Sequence, residues 1–128
     1  MRLHHVQISM PPGQEVAARR FYAEALGLTE VTKPGELAGR GGCWFRALDG
    51  EVVTAELHLG VEEGFVAPRR AHPALVVGSV DELEGLGRRV EQGGYEVSWV
   101  ERTTFPGYER FHCKDPFGNR IEVMAQAR

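Results

Sequence analysis

The sequence predicts an α+β fold made of two similar modules, and three observations lead to this prediction. Matching residue types recur at spacings of 67, 67 and 66 positions, in the pairs His5/His72, Gly27/Gly94 and Glu56/Glu122. A constant spacing close to half of the 128-residue chain indicates a duplicated unit. Both halves show a strand, a helix and then several strands. Between them, residues 61–70 carry Gly, Pro and charged residues, as linkers do. We therefore expect a single domain with modules at 1–60 and 71–128.

The composition is that of an ordinary globular domain. Hydrophobic residues make up 42% of the chain and charged residues 26%, and the formal net charge is −3. This charge gives no electrostatic reason to expect a nucleic acid or an anionic membrane as partner. No apolar run approaches the ~18 residues of a spanning helix, and the start of the chain lacks the apolar core of a signal peptide. Two cysteines are too few for a disulfide framework. We expect a cytoplasmic protein.

The first module begins with a strand at Leu3–Met10, followed by a helix at Gln14–Leu26. Alternation along the strand places His5 and Gln7 on one face. A single strand histidine is more often structural than a ligand, but the matching His72 favours a functional role for His5. In the helix, apolar residues recur at three- and four-residue spacing, which marks the buried face.

The rest of the first module is predicted as three strands. Lys33–Gly42 contains four glycines and is expected to be a flexible loop over the site. The strands Cys43–Leu48 and Val52–Leu59 flank Asp49-Gly50, a strong hairpin signal. Glu56 and His58 share one face of the second strand. Such positions lie ~6–7 Å apart, which is too far for both side chains to share one metal easily. We favour Glu56 as the ligand because its spacing from Glu122 matches the repeat. His58 is kept as a rival ligand or a substrate contact.

The second module repeats the pattern. A strand at His72–Val77 precedes a helix whose start is marked by Ser79 and Glu82, the two ends of a capping box. The helix buries an apolar face up to Val90. A strand at Tyr95–Val100 and a loop follow.

The module ends in a hairpin around the turn Asp115–Asn119. Turn residues (DPFGN) separate the strands Glu109–Cys113 and Arg120–Met124. Ile121 and Val123 face one way and Glu122 the other, towards either a cavity or water. On the first strand, Arg110 and His112 share a face. If that face lines a cavity, His112 can exchange protons with a substrate and Arg110 can hold an anionic group.

Four segments of the chain resemble the vicinal oxygen chelate superfamily, which includes glyoxalase I, extradiol dioxygenases and bleomycin-binding proteins. They are the opening LHHVQI, the segment FYAEALGL, the segment AHPALVV and the turn DPFGNRIEV. The resemblance covers nearly the whole chain. It implies two βαβββ modules that form a curved mixed sheet around a cavity. It also implies that His5, His72 and Glu122 are metal ligands, with Glu56 at the fourth ligand position of glyoxalase-like members.

Imidazole and carboxylate ligands suit a divalent metal such as Zn²⁺, Ni²⁺, Mn²⁺, Co²⁺ or Fe²⁺. Such a metal can hold adjacent oxygens of a substrate and stabilise the charge of an enediolate. We expect a glyoxalase-like lyase or isomerase acting on a small molecule, in which Glu122, Glu56 and His112 take part in catalysis and His58 and Arg110 contact the substrate. An Fe²⁺ extradiol-type dioxygenase and a non-catalytic, antibiotic-binding protein remain alternatives. A homodimer is expected, because exposed edge strands need to be covered.

Overall fold

The computed structural model describes all 128 residues and contains two compact units, Met1–Ala67 and Pro68–Arg128. Unit 1 contains the strands and helices β1 (Val6–Met10), α1 (Glu15–Arg19) with a π-helical continuation (Arg20–Ala25), β2 (Thr29–Val31), α2 (Gly35–Ala38), β3 (Cys43–Asp49) and β4 (Val52–Val61). Unit 2 contains β5 (Ala74–Val76), α3 (Val80–Gln92), β6 (Val97–Ser98), β7 (Tyr108–Lys114) and β8 (Arg120–Gln126). The predicted α+β class is confirmed.

Each unit carries one four-stranded mixed sheet, and the two sheets have the same topology. The strand order is β1-β4-β3-β2 in unit 1 and β5-β8-β7-β6 in unit 2. In both units the first strand runs parallel to the last, while the other neighbours are antiparallel. A parallel first strand is what a helical crossover produces. Each unit is therefore a βαβββ arrangement, with the short helix α2 added in unit 1.

The core of each unit lies between its helix and one face of its sheet. Fully buried side chains in unit 1 include Phe21, Tyr22 and Phe45, and Tyr22 stacks on Phe45 at 5.3 Å. In unit 2, the inner faces of the strands are formed by residues such as Phe111 and Val123, both 0% exposed. At roughly 25 cal/mol for each Å² of apolar surface, burial of these side chains is the main source of stability.

Several predicted strands are shorter in the structure, for example Val97–Ser98 where Tyr95–Val100 was expected, and two predicted elements differ in type. The helix expected at Gln14–Leu26 changes from α to π at Arg20, where the amide of Leu26 donates to the carbonyl of Phe21, five residues back. The apolar spacing cannot reveal this change, because residues three to five apart share a face in either form. The loop expected at Lys33–Gly42 contains the four-residue helix α2. None of the helices is long or apolar enough to cross a membrane.

The helix of unit 2 begins as the sequence predicts. The Ser79 hydroxyl accepts a hydrogen bond of 3.1 Å from the amide of Glu82. The Glu82 carboxylate accepts one of 2.9 Å from the amide of Gly78, one residue before the cap. The first bond satisfies an amide that the first helical turn leaves unpaired, and the second ties the residue before the cap to the helix.

The register of the first strand differs between the units. Val6 lies beside Leu57 and Leu75 beside Val123. The equivalent residues of the first strands, Val6 and Leu75, are therefore 69 positions apart in the sequence. Their partners in the last strands, Leu57 and Val123, are 66 positions apart. The constant spacing suggested that His72 is the equivalent of His5, but the register shows that it is not. His5 directly precedes β1, whereas His72 lies two positions before β5.

Candidate metal and substrate site

Glu122 is the residue of unit 2 on which the polar side chains converge. It lies at the centre of β8 and is only 5% exposed, so the expected orientation away from Ile121 and Val123 does not bring it into bulk water. His72 Nε2 lies 2.8 Å from Glu122 Oε2, and His112 Nε2 lies 3.6 Å from the same oxygen. His112 pairs with Glu122 across β7 and β8, which places both side chains on one face of the sheet.

The three side chains together form a candidate ligand set. One ligand atom each from His72, His112 and Glu122 lies within 4.8 Å of the others. Two imidazoles and one carboxylate suit Zn²⁺ and the later first-row metals, and two histidines with one carboxylate is also the ligand set of non-haem Fe²⁺ oxygenases. His112, expected from the sequence as a proton-exchanging residue, thus lies where a ligand would lie.

The tautomer of His72 supports the fit. Its Nδ1 lies 2.5 Å from the carbonyl oxygen of Arg70, and a carbonyl can only accept, so Nδ1 carries a proton. In neutral imidazole, Nε2 then has a lone pair directed at Glu122, which also offers only lone pairs. A cation between the two, or a proton on Nε2, removes this conflict. A backbone partner on the second ring nitrogen is usual for metal-binding histidines.

Arg110 also binds the Glu122 carboxylate. Its Nη1 donates to Glu122 Oε1 at 2.9 Å, Nε donates to the carbonyl of Glu101, and Nη2 donates to Glu101 Oε2 and Thr104 Oγ1. All three guanidinium nitrogens are therefore engaged. The prediction that Arg110 holds a substrate anion requires it to exchange one of these partners.

The electrostatics of the cluster favour an ionised glutamate and a neutral histidine. Burial by itself raises the pKa of Glu122, but the hydrogen bond from Arg110 and the close contact with His72 outweigh it and hold the pKa below its ordinary value. Burial lowers the pKa of His112, and the positive charge of Arg120 adds to this effect. At neutral pH the cluster therefore offers a carboxylate and an imidazole lone pair, the forms that bind metals.

Unit 1 places its candidate residues on a single face as well. Glu56 is 7% exposed, and its Oε1 lies 3.1 Å from His58 Nε2 and 3.2 Å from Arg46 Nε. The separation of ~6–7 Å expected between Glu56 and His58 holds for strand positions, but their side chains bend together and touch. Burial alone raises the pKa of Glu56, whereas the bond from His58 and the charge of Arg46 lower it, and the lowering is larger.

His5 belongs to an aromatic stack in unit 1. The His5 ring stacks on His58 with centroids 4.1 Å apart, and His58 stacks on Trp44 at 3.8 Å with an angle of 3° between the planes. The register that pairs Trp44 with His58 puts Trp44 on this face. The Trp44 and Arg46 contacts could only have been foreseen from the strand register. His5 and Glu56 lie in unit 1, and His72 and Glu122 in unit 2.

A family model described as the Glyoxalase/Bleomycin resistance protein/Dioxygenase superfamily matches residues 2–123. The chain belongs to this superfamily. Among solved structures, a glyoxalase family protein from Bacillus anthracis is 42% identical, with a TM-score of 0.82 over 99% of this chain and 100% of that one. The match confirms the resemblance seen in the sequence.

Two more distant solved structures share the fold. A glyoxalase/dioxygenase from Nostoc punctiforme is 23% identical, with a TM-score of 0.75 over 99% of this chain and 92% of that one. The antibiotic-binding protein TnmS3 from a Streptomyces species is 22% identical, with a TM-score of 0.66 over 99% of both chains. The comparison with curated proteins finds no match. The fold is thus shared by a protein named as a glyoxalase/dioxygenase and by an antibiotic-binding protein, and the site itself must decide between such functions.

Proposed function

We propose that the protein is a glyoxalase-like, metal-dependent lyase or isomerase that acts on a small molecule with adjacent oxygen atoms. The observation that carries this proposal is the convergence of His72, His112 and Glu122, whose ligand atoms lie within 4.8 Å of one another. These three residues would hold a divalent metal. His5 and Glu56 stay predicted further ligands, as the superfamily resemblance implies.

A bound metal would supply a Lewis acid that polarises the substrate oxygens. The side chains and backbone of the protein fix the tautomer of His72, offset the charge of Glu122 and supply proton acceptors. The Arg70 carbonyl keeps the proton of His72 on Nδ1, and Arg110 offsets the charge of Glu122. Glu56 and Glu122 are both ionised at neutral pH, so either can accept a proton from a carbon next to a carbonyl group. His58, bonded to Glu56, keeps that carboxylate oriented.

Metal content is the first test of this proposal. Protein produced in metal-supplemented medium should carry about one divalent metal for each chain, as measured by elemental analysis. Added Zn²⁺, Ni²⁺, Mn²⁺, Co²⁺ or Fe²⁺ should also raise the melting temperature, since a ligand at 100 times its Kd stabilises by about 2.7 kcal/mol. His112→Gln should abolish the shift, while Glu63→Gln, which removes an exposed carboxylate in a turn outside the cluster, should not. A chain without metal and without any melting shift contradicts the proposal.

The reaction class is tested separately. Metal-loaded protein should exchange the C–H hydrogen beside the carbonyl of a small 2-hydroxyketone for deuterium, and EDTA should stop the exchange. Consumption of dioxygen by the Fe²⁺ form with a catechol, without such exchange, would instead support the dioxygenase alternative.

One observation favours a second candidate, a non-catalytic binding protein. Arg110 and Arg46 each form an ion pair with a candidate ligand, at 2.9 Å from Glu122 and 3.2 Å from Glu56. Both carboxylates are thus neutralised without a metal. For a binding protein, the metal-free chain should keep its full affinity for a small aromatic compound in EDTA.

A further inference from the structure

A cavity of about 320 Å³ lies beside the metal candidates in unit 2. Its lining includes His112, Lys114 and Arg120. The pairs His112/Glu122 and Lys114/Arg120 across β7 and β8 place these side chains on the same face of the sheet as Glu122. The cavity therefore opens next to the reactive groups, and His112 belongs to both.

The cavity carries two positive charges in an unfavourable arrangement. Lys114 and Arg120 are direct cross-strand partners, and like charges directly opposite each other on a sheet are destabilising. The Arg120 side chain is also only 31% exposed, so water screens its charge only in part. An anion placed between these side chains would remove the repulsion.

The acidic side chains of the cavity form only long ion pairs with these two cations. Glu96 lies 3.7 Å from Lys114 and is 71% exposed, and Glu101 lies 4.0 Å from Arg120 and is 49% exposed. Both distances exceed that of a hydrogen bond. Glu101 is closer to Arg110, at 3.1 Å. By contrast, Arg102, outside the cavity lining, has two carboxylate partners at 2.5 Å.

We propose that this cavity binds the carboxylate end of a small organic acid, with Arg120 as the principal anchor and Lys114 as the second. A cavity of roughly 150 Å³ holds benzene, so this one suits a single ring or a short chain bearing the carboxylate. Val100 and the stems of the lining side chains supply apolar contact. The inference deepens the proposed function and rests on it in one respect, since the bound acid would present its remaining oxygens towards His112.

The test uses benzoate and its neutral isostere benzamide, with EDTA present so that no metal contributes. Ligand-observed NMR titration of the full-length protein should show that benzoate binds at least tenfold more tightly than benzamide. Arg120→Gln should weaken benzoate binding about tenfold or more and leave benzamide binding unchanged. Lys114→Gln should have a smaller effect of about threefold, since that side chain is 55% exposed. The matched control is Arg88→Gln, which removes an equal charge from the exposed side of α3.

Equal binding of benzoate and benzamide to the wild-type protein would overturn the inference, and this comparison needs no variant to fold. Unchanged benzoate binding by folded Arg120→Gln, or an equal loss in Arg88→Gln, would also overturn it. Failure of the proposed function has a different signature. If only the proposed function is wrong, the wild-type protein takes up no metal, while benzoate still binds through Arg120.

Discussion

Glu122 contacts both the potential metal ligands of unit 2 and the guanidinium group of Arg110. One carboxylate oxygen faces His72 and His112, which are potential metal ligands, and the other accepts from Arg110. A buried carboxylate without partners is very unfavourable, so Arg110 gives Glu122 a stable state when no metal is bound. Binding of the proposed metal would then require a change of partner at one oxygen only.

At the residue scale, Glu56 and His58 can be separated by substitution. Glu56→Gln removes a predicted ligand and should weaken metal binding by more than about 100-fold. His58→Gln removes a hydrogen-bond partner of that ligand, and such changes typically cost about 10–100-fold. Isothermal titration with the metal found in the purified protein measures both. A larger loss for His58→Gln would make His58 the ligand and Glu56 its partner.

The two cysteines provide a second prediction at this scale. Burial raises the pKa of Cys43 to about 11 and that of Cys113 to about 12, so both stay protonated thiols at pH 8. Only the thiolate is a nucleophile. The folded protein should therefore not react with a thiol-specific disulfide reagent at pH 8, whereas the unfolded chain should release two equivalents. Rapid reaction of the folded chain would show that a thiol is accessible and ionised.

At the scale of elements, the contact between the start of β3 and β4 depends on Gly42. This residue has a φ of +82°, and an added Cβ would lie 2.0 Å from the carbonyl oxygen of Leu59. Its amide also donates to Glu15, which ties the strand to α1. The close approach of two backbones thus requires glycine here.

Gly42→Ala should accordingly destabilise the protein by roughly 3 kcal/mol, from backbone strain and overpacking together. Gly39→Ala is the matched control, because Gly39 has a helical φ of −71° and open space around its Cβ position. That change should be neutral or stabilise by up to about 1 kcal/mol. Urea unfolding followed by circular dichroism measures both free energies. Equal effects would mean that strain at Gly42 is unimportant.

The β3–β4 hairpin of unit 1 extends beyond its neighbours. β2 pairs only with Trp44–Arg46 and β1 only with Leu57–Val61, so residues 47–55 pair with each other alone. Their apolar side chains are exposed to 47%, 65% and 43% at Leu48, Val52 and Val53. A two-stranded arm of this kind is marginally stable in water unless it is covered.

At the scale of the whole molecule, we predict a homodimer in which this arm is buried against a second copy. The predicted need to cover the edge strands of the two sheets adds to this surface. Light scattering at micromolar concentration should give about twice the 14.2 kDa of one chain. Val52→Asp should shift the population to monomers, while Val66→Asp, an equally apolar and exposed position outside the hairpin, should not. A monomeric mass with metal present would contradict the dimer.

The sequence by itself determined the α+β class, the superfamily and the faces on which most candidate residues lie. The superfamily follows from the resemblance of four sequence segments, whereas the faces follow from periodicity. Alternation puts Glu56 and His58 on the same face of β4, and it puts Glu122 of β8 on the face opposite to Ile121 and Val123. The N-terminal cap at Ser79 is equally local, since its bonds span only three and four residues.

Only the tertiary structure decided which of these side chains meet. The 69-position offset of the first strands, the contact between Glu56 and His58 and the approach of His112 to His72 depend on strand register and side-chain rotamers. The like-charged pair Lys114/Arg120 likewise exists only because β7 and β8 pair in that register. Periodicity specifies a direction for each side chain, whereas register and packing specify distances, and the chemistry of the site depends on distances.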